Sequence, residues 1–375
     1  MQKQAPNNWG NGVVGRGALV VSVVLLCGGA CTRASQDKRD RPRQNPDAAL
    51  PQAPSLSRAL KTDITHFAPS SADKVGVMIR FDRMRNTPLA KATEHLLRWL
   101  PDHPRVVGNT GSKVRDVFDL VLMTSSDPGM IVTTNMSARM SVSPKQMRTM
   151  LNNTLSPTAW TPVSGGALGR SKSSSVPGGD PRVYLIPMRK WIFLAQPSSF
   201  GSLLSPRKGR LNRAAPPKTL VPWLARAGSM MNIGGSAGTL IALSTLHKLP
   251  HSISLPLFGT LLLPQRAAIA LDRRKHADVF SGVLHFDTVA AAKAFAKTVE
   301  GAKRILAAYT PTAGAPKLPA LRALRSVLVR RVGKRMQWSM ATTRQEAFEL
   351  TMFASKLIGQ WARGGVPPTH GTAKP

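Results

Sequence analysis

Acidic residues are scarce in this chain: 18 Asp and Glu stand against 52 Lys and Arg in 375 residues, a formal net charge of +34. No acid precedes Asp37 and none falls between Asp180 and Asp272, so that long middle stretch offers no carboxylate pair for acid–base work. Cysteine is nearly absent. Cys27 and Cys31 both lie close to the amino end, which leaves the body without a disulfide framework or thiolate chemistry. Aromatics make up 5% of the chain and do not interleave with the basic clusters, as a platform for stacking single-stranded bases would require. Zinc-finger and recognition-helix spacings are also missing, so nucleic acid is not an expected partner. The apolar run from Ala18 to Cys27, broken by Ser22, is about half of the ~20 residues needed to span a bilayer.

That short run has a clear meaning in context. Lys3 and Arg16 precede it, and Gly28, Gly29 and Ala30 follow, giving a basic region, a greasy region and a small-residue cleavage site. This is the layout of an export signal over residues 1–30. Gly28-Gly29-Ala30-Cys31 resembles the lipobox of bacterial lipoproteins. The resemblance implies cleavage before Cys31 by signal peptidase II, acylation of Cys31 with diacylglycerol and palmitate, and, with Thr32 next, sorting to the outer membrane facing the periplasm or the surface. An ordinary signal-peptidase site near Cys31, or an acid-free transit peptide, gives the same basic and apolar regions. Residues 31–60 are rich in Arg, Gln, Pro, Ser and Asp, too polar to offset their ordering entropy, and read as a tether. Residues 364–375 read as a flexible tail.

Between tether and tail lie about 300 residues, enough for one large or two modest cores. The charge attracts polyanions and opposes self-association. Expected partners are the membrane, through the lipid anchor, and anionic envelope polymers, anionic lipids or another envelope protein.

The pattern predicts an α+β protein of mostly antiparallel sheets with helices on one face. Residues 74–82 read as a strand and 89–100 as a helix bounded by Pro88 and Pro101. Strands are expected at 120–124 and 130–140 around an Asp127-Pro128-Gly129 turn, then a helix capped by Ser143 with Pro144 first. Residues 157–179, rich in Ser, Gly and Pro, read as a long loop. A second hairpin, 182–187 with 191–195, precedes a helix capped by Ser198. The same order returns: a strand at 239–246 after a joint at 205–222, a hairpin at 267–272 and 279–286, and a helix capped by Asp287. A last hairpin, 326–331 with 335–341, leads to a helix capped by Thr342 or Thr343, with Glu346 completing a capping box. Ser143 to Asp287 and Ser198 to Thr342 both span 144 residues, which predicts an internal duplication of a β-α-ββα-ββα unit, with halves at 61–215 and 216–363.

Candidate chemistry is thin. Gly234-Gly235-Ser236-Ala237-Gly238 is similar to the nucleophile elbow of α/β-hydrolases, which implies Ser236 as nucleophile. The hydrolase order would draw on Asp272 or Asp278 and then on His370 in the tail, which supplies no base fixed beside the serine. A glycine turn entering the second half is the plainer reading. His247 and His251 are four apart with Pro250 between them and no acid nearby, so no metal site is expected, nor any cofactor. His285 reads as a solvent-facing strand residue, and Trp191 and Trp338 as packing residues at corresponding places in the second hairpin of each half. The anion-binding candidates are two basic turns: Arg273, Arg274 and Lys275, and Arg330, Arg331, Lys334 and Arg335. Side-by-side hairpins would put all seven on one rim, where guanidinium forks and ammonium charges suit phosphates. Solvated turns that guard the sheet from edge pairing are the alternative.

Overall fold

A computed structural model of the chain describes residues 75–98, 103, 112–125, 131–153, 158–163, 166–171, 180–187, 190–196, 239–245, 252–255, 259–262, 264–308 and 321–362. The leader, Cys31, the tether, the tail, the Asp127 turn, Ser198, the 205–222 joint, Ser236, His247 and His251 lie outside them.

The first compact unit carries β1 (Val75–Arg80), β2 (Phe118–Ser125), β3 (Thr134–Met140), β4 (Thr158–Val163), β5 (Gly166–Ser171), β6 (Val183–Pro187), β7 (Trp191–Ala195) and β8 (Thr239–Thr245). Its strands lie in the order β8-β1-β2-β3-β7-β6-β5-β4, antiparallel throughout. Helix α1 (Pro88–Leu97) follows β1 and from Lys91 onward clusters with the second unit; within the first, α2 (Val114–Val117) leads into β2 and α3 (Pro144–Asn152) follows β3. Alternation places Met136, Ala138 and Met140 of β3 in the core, and α3 buries Met147 and Leu151 four residues apart. Ser143 accepts from the Gln146 N–H while the Gln146 side chain accepts from the Ser143 N–H, a full capping box.

The second unit carries the hairpin β9 (Ser252–Leu255) and β10 (Gly259–Leu262), then β11 (Arg266–Arg273), β12 (Asp278–His285), β13 (Leu328–Val332) and β14 (Arg335–Thr342). The last four form the order β13-β14-β12-β11, again antiparallel. Helices α4 (Val289–Ala308), α5 (Leu321–Arg325) and α6 (Arg344–Ala362) complete it. One sheet face presents Leu284, Phe280, Met336, Trp338 and Met340 to the core. Helix α4 buries Ala292, Phe295 and Val299, and α6 buries Ala347, Leu350, Thr351 and Ala354, the i, i+3, i+4, i+7 stripe of a helix covering a core. Phe295 meets Phe286 with ring centroids 5.2 Å apart. Trp338 lies over Gly282 on the neighbouring strand, where a Cβ would come 2.5 Å from the indole Nε1. Only glycine leaves room for that ring.

Several expectations shift. Residues 158–163 and 166–171, read as loop, are the β4–β5 hairpin. Ile131–Thr133, read as strand, forms a 3₁₀ turn. Thr288, not Asp287, caps α4: its hydroxyl accepts from the Ala291 N–H. Thr343, not Thr342, caps α6, in the expected box with Glu346. Strand β8, expected to open the second half, pairs with β1 and clusters with the first unit. Trp191 is the first residue of β7 and Trp338 the fourth of β14, so they do not occupy corresponding positions.

Candidate functional site

In the first unit, arginines hold Asp82, Asp119 and Asp180. A β-bulge between Phe118 and Leu120 leaves Asp119 without a cross-strand partner on β3. Arg85 donates to Asp119 at 2.7 Å, and Arg80 donates to both carboxylate oxygens of Asp82 at 3.0 and 2.9 Å. Arg139 reaches Asp82 at 2.8 Å and Asp119 at 3.5 Å. Burial pushes the Asp82 carboxyl upward, but the hydrogen bonds from Arg80 and the charges of Arg80, Arg139 and Arg83 outweigh it and hold the group below its ordinary range. Asp180 and Arg182, 1% and 0% exposed, make a second and fully buried pair at 2.8 Å. These are clamps between strands and loops.

The second unit treats its basic residues in two ways. Arg273, an anion-site candidate, instead donates to Asp278 at 3.0 and 3.1 Å across the mouth of the β11–β12 hairpin. Arg274 and Lys275 are exposed in the turn beyond it. The other turn is tight: Val332 faces Arg335, with Gly333 at φ 58, a backbone shape that favours glycine. Register then decides where the two turns lie. β12 pairs with β14 from Asp278 opposite Thr342 to His285 opposite Arg335. The Arg273 turn therefore sits at the Asp278 end and the Lys334 turn at the His285 end, a strand length apart. The single seven-cation rim expected from the sequence does not exist, because adjacent antiparallel hairpins joined this way point their turns in opposite directions.

In its place the register brings together residues that the sequence kept apart. Arg266 lies opposite His285 on β11–β12, and His285 lies opposite Arg335 on β12–β14. Directly opposed residues share a sheet face, so the three stand in one row with about 5 Å between strands. Lys334 is in the adjoining turn, where its carbonyl accepts from the Phe286 N–H at 2.9 Å. Burial lowers the affinity of His285 for a proton, and Arg335, Arg266 and Lys334 lower it further in that order, against a smaller opposing effect of Asp287. His285 is half-buried rather than fully solvent-facing. Among the described residues, no group of three His, Cys, Asp or Glu is arranged to hold a metal ion.

No family model matches the chain, and no curated protein sequence does. Solved structures of TP0453 resemble it. Crystal form III gives a TM-score of 0.45 at 12% identity, covering 79% of this chain and 98% of that one. Crystal form I gives 0.41 at 12%, covering 78% and 97%, and crystal form IV gives 0.42 at 9%, covering 80% and 96%.

Proposed function

We propose that the chain is an exported, lipid-anchored and non-catalytic component of the cell envelope that contacts anionic polymers or lipids. The observation that carries this reading is the basic, apolar and small-residue leader ending in Ala30-Cys31, followed by a polar tether. A diacylated cysteine supplies two acyl chains, enough for stable anchoring without a spanning helix. Among the described residues no helix is long and apolar enough to cross a membrane. The excess of cations supports an anionic partner. Asp82, Asp119, Asp180, Asp278 and Glu346 are held in ion pairs, which supports structural rather than catalytic use of the few acids.

An internal duplication also belongs to this reading. The orders β2-β3-β7-β6 and β11-β12-β14-β13 follow the same path, a hairpin, a helix and a later hairpin, with β4 and β5 intervening in the first unit and α5 in the second. The same backbone bond recurs, from the Met140 N–H to the Lys190 carbonyl and from the Phe286 N–H to the Lys334 carbonyl. Ser143 and Thr288 cap the helix after each first hairpin. By this alignment Arg139 and His285 stand at matching places.

The test is Cys31→Ser together with globomycin treatment. The expected result is loss of the acyl mass and release from the membrane fraction, with unprocessed precursor accumulating under the drug. Identical mass and fractionation in all arms would overturn the lipid anchor. Fluorophosphonate labelling that disappears in Ser236→Ala would overturn the non-catalytic assignment.

A further inference from the structure

We propose that Arg266, His285 and Arg335, side by side on β11, β12 and β14 with Lys334 in the adjoining turn, form a binding site for a phosphate group. The proposal names the ligand class of the anion-contacting surface. It draws on the envelope reading only for where that ligand is met, because the site itself stands on strand register.

The contrast between the two units carries the argument. In the row across β2, β3 and β7, the central cation is Arg139, and Asp82 and Asp119 converge on it. In the row across β11, β12 and β14, the central residue is His285, and the cations Arg266, Arg335 and Lys334 bear on it. Arg80, Arg85, Arg115, Arg139, Arg182, Arg273, Lys303 and Arg322 each pair with an acid, whereas Arg266, Lys334 and Arg335 enter none of these pairs. Asp287, two residues beyond His285, opposes the cations there and is outweighed. Like charges held this close repel, so the row is stabilised by an anion that accepts from several of them at once. Phosphate fits by geometry and by number. Its oxygens accept in-plane forks from two guanidiniums and a point contact from an ammonium, more donors than one carboxylate satisfies. A bound phosphate also reverses the field at His285, so that the imidazole takes up a proton and becomes a further donor.

The same sheet face suggests where the phosphate comes from. Arg330 lies opposite Gln337, one rung inward from Arg335 on that face. Leu328 and Val332 flank it on β13 and are 70% and 52% exposed. A phosphate joined to apolar material would engage both sets.

The experiment follows the His285 ring signal by NMR in the full chain, assigned with His285→Gln, across pH 5 to 8. Inorganic phosphate is the first arm and vesicles containing phosphatidylglycerol the second. The expected result is a His285 midpoint that rises on adding phosphate. A rise of one unit corresponds to about tenfold tighter binding when the imidazole is charged. Arg266→Gln and Arg335→Gln should each weaken binding at least several-fold, while Arg274→Gln at the opposite end leaves it unchanged. A response to vesicles far exceeding that to free phosphate assigns the group to a lipid headgroup, and an equal response assigns it to a soluble phosphate. A midpoint that moves in neither arm overturns the site, as does equal loss of binding in Arg274→Gln. If Cys31→Ser leaves mass and fractionation unchanged yet His285 still responds, the envelope reading falls and the site stands.

Discussion

His285 acts on the pH response of this fold in one window, and the clamped carboxylates Asp82 and Glu346 in another. His285 holds its proton more weakly in the folded chain than in the unfolded one, because burial and three cations oppose its charge. The unfolded chain therefore binds more protons below about 6.5, and stability falls as pH drops through that range. Asp82 behaves as a clamped carboxylate. Its contribution is complete above the ordinary aspartate value of 3.8 and is lost as pH falls through the lowered midpoint. Denaturation measured from pH 8 to pH 3 should show both limbs. His285→Gln should flatten the upper limb and leave the lower, whereas Asp82→Asn should leave the upper and reduce the lower, which Glu346 with its Arg322 and Thr343 partners shares. A single limb unaffected by His285→Gln would contradict the cationic row.

At the scale of the element, the helices were legible in the sequence because their start signals are local. Ser143 with Pro144, and Thr343 with Glu346, specify their caps within four residues. The Glu346 carboxylate also receives Arg322 from α5, so this cap ties two helices. Thr343→Ala should cost about 1 kcal/mol, measured by urea denaturation, and Thr342→Ala should expose a different loss, that of its hydroxyl bond to the Asp278 carbonyl. The strands were less legible where composition misleads. Gly166, Gly169 and Pro162 read as breakers, yet Pro162 sits on β4 at the end of its sheet, where a missing N–H costs no ladder bond, and Trp160 covers Gly169 from across the hairpin. The candidate site was half visible. Lys334 and Arg335 announce themselves as a basic turn, but Arg266 and His285 join them only through the β12–β14 pairing, which links strands 50 residues apart and leaves no local signal.

For the whole molecule, the +34 charge sets how stability answers to salt. Self-repulsion on this scale disfavours the compact state, and raising sodium chloride from about 10 mM to about 150 mM shortens the screening length from about 30 Å to about 8 Å. The midpoint of thermal unfolding should therefore rise with chloride, saturating as the surface field is screened. Low-millimolar phosphate at matched ionic strength should raise it further, because an anion bound only by the folded chain adds stability by mass action. That surplus belongs to the row and not to the overall field. It should vanish in the double variant Arg266→Gln, Arg335→Gln and persist in Arg274→Gln, Lys275→Gln, which removes the same number of charges from the opposite end of the sheet. Equal surpluses in the two double variants would mean that phosphate acts on this protein only as one more screening ion.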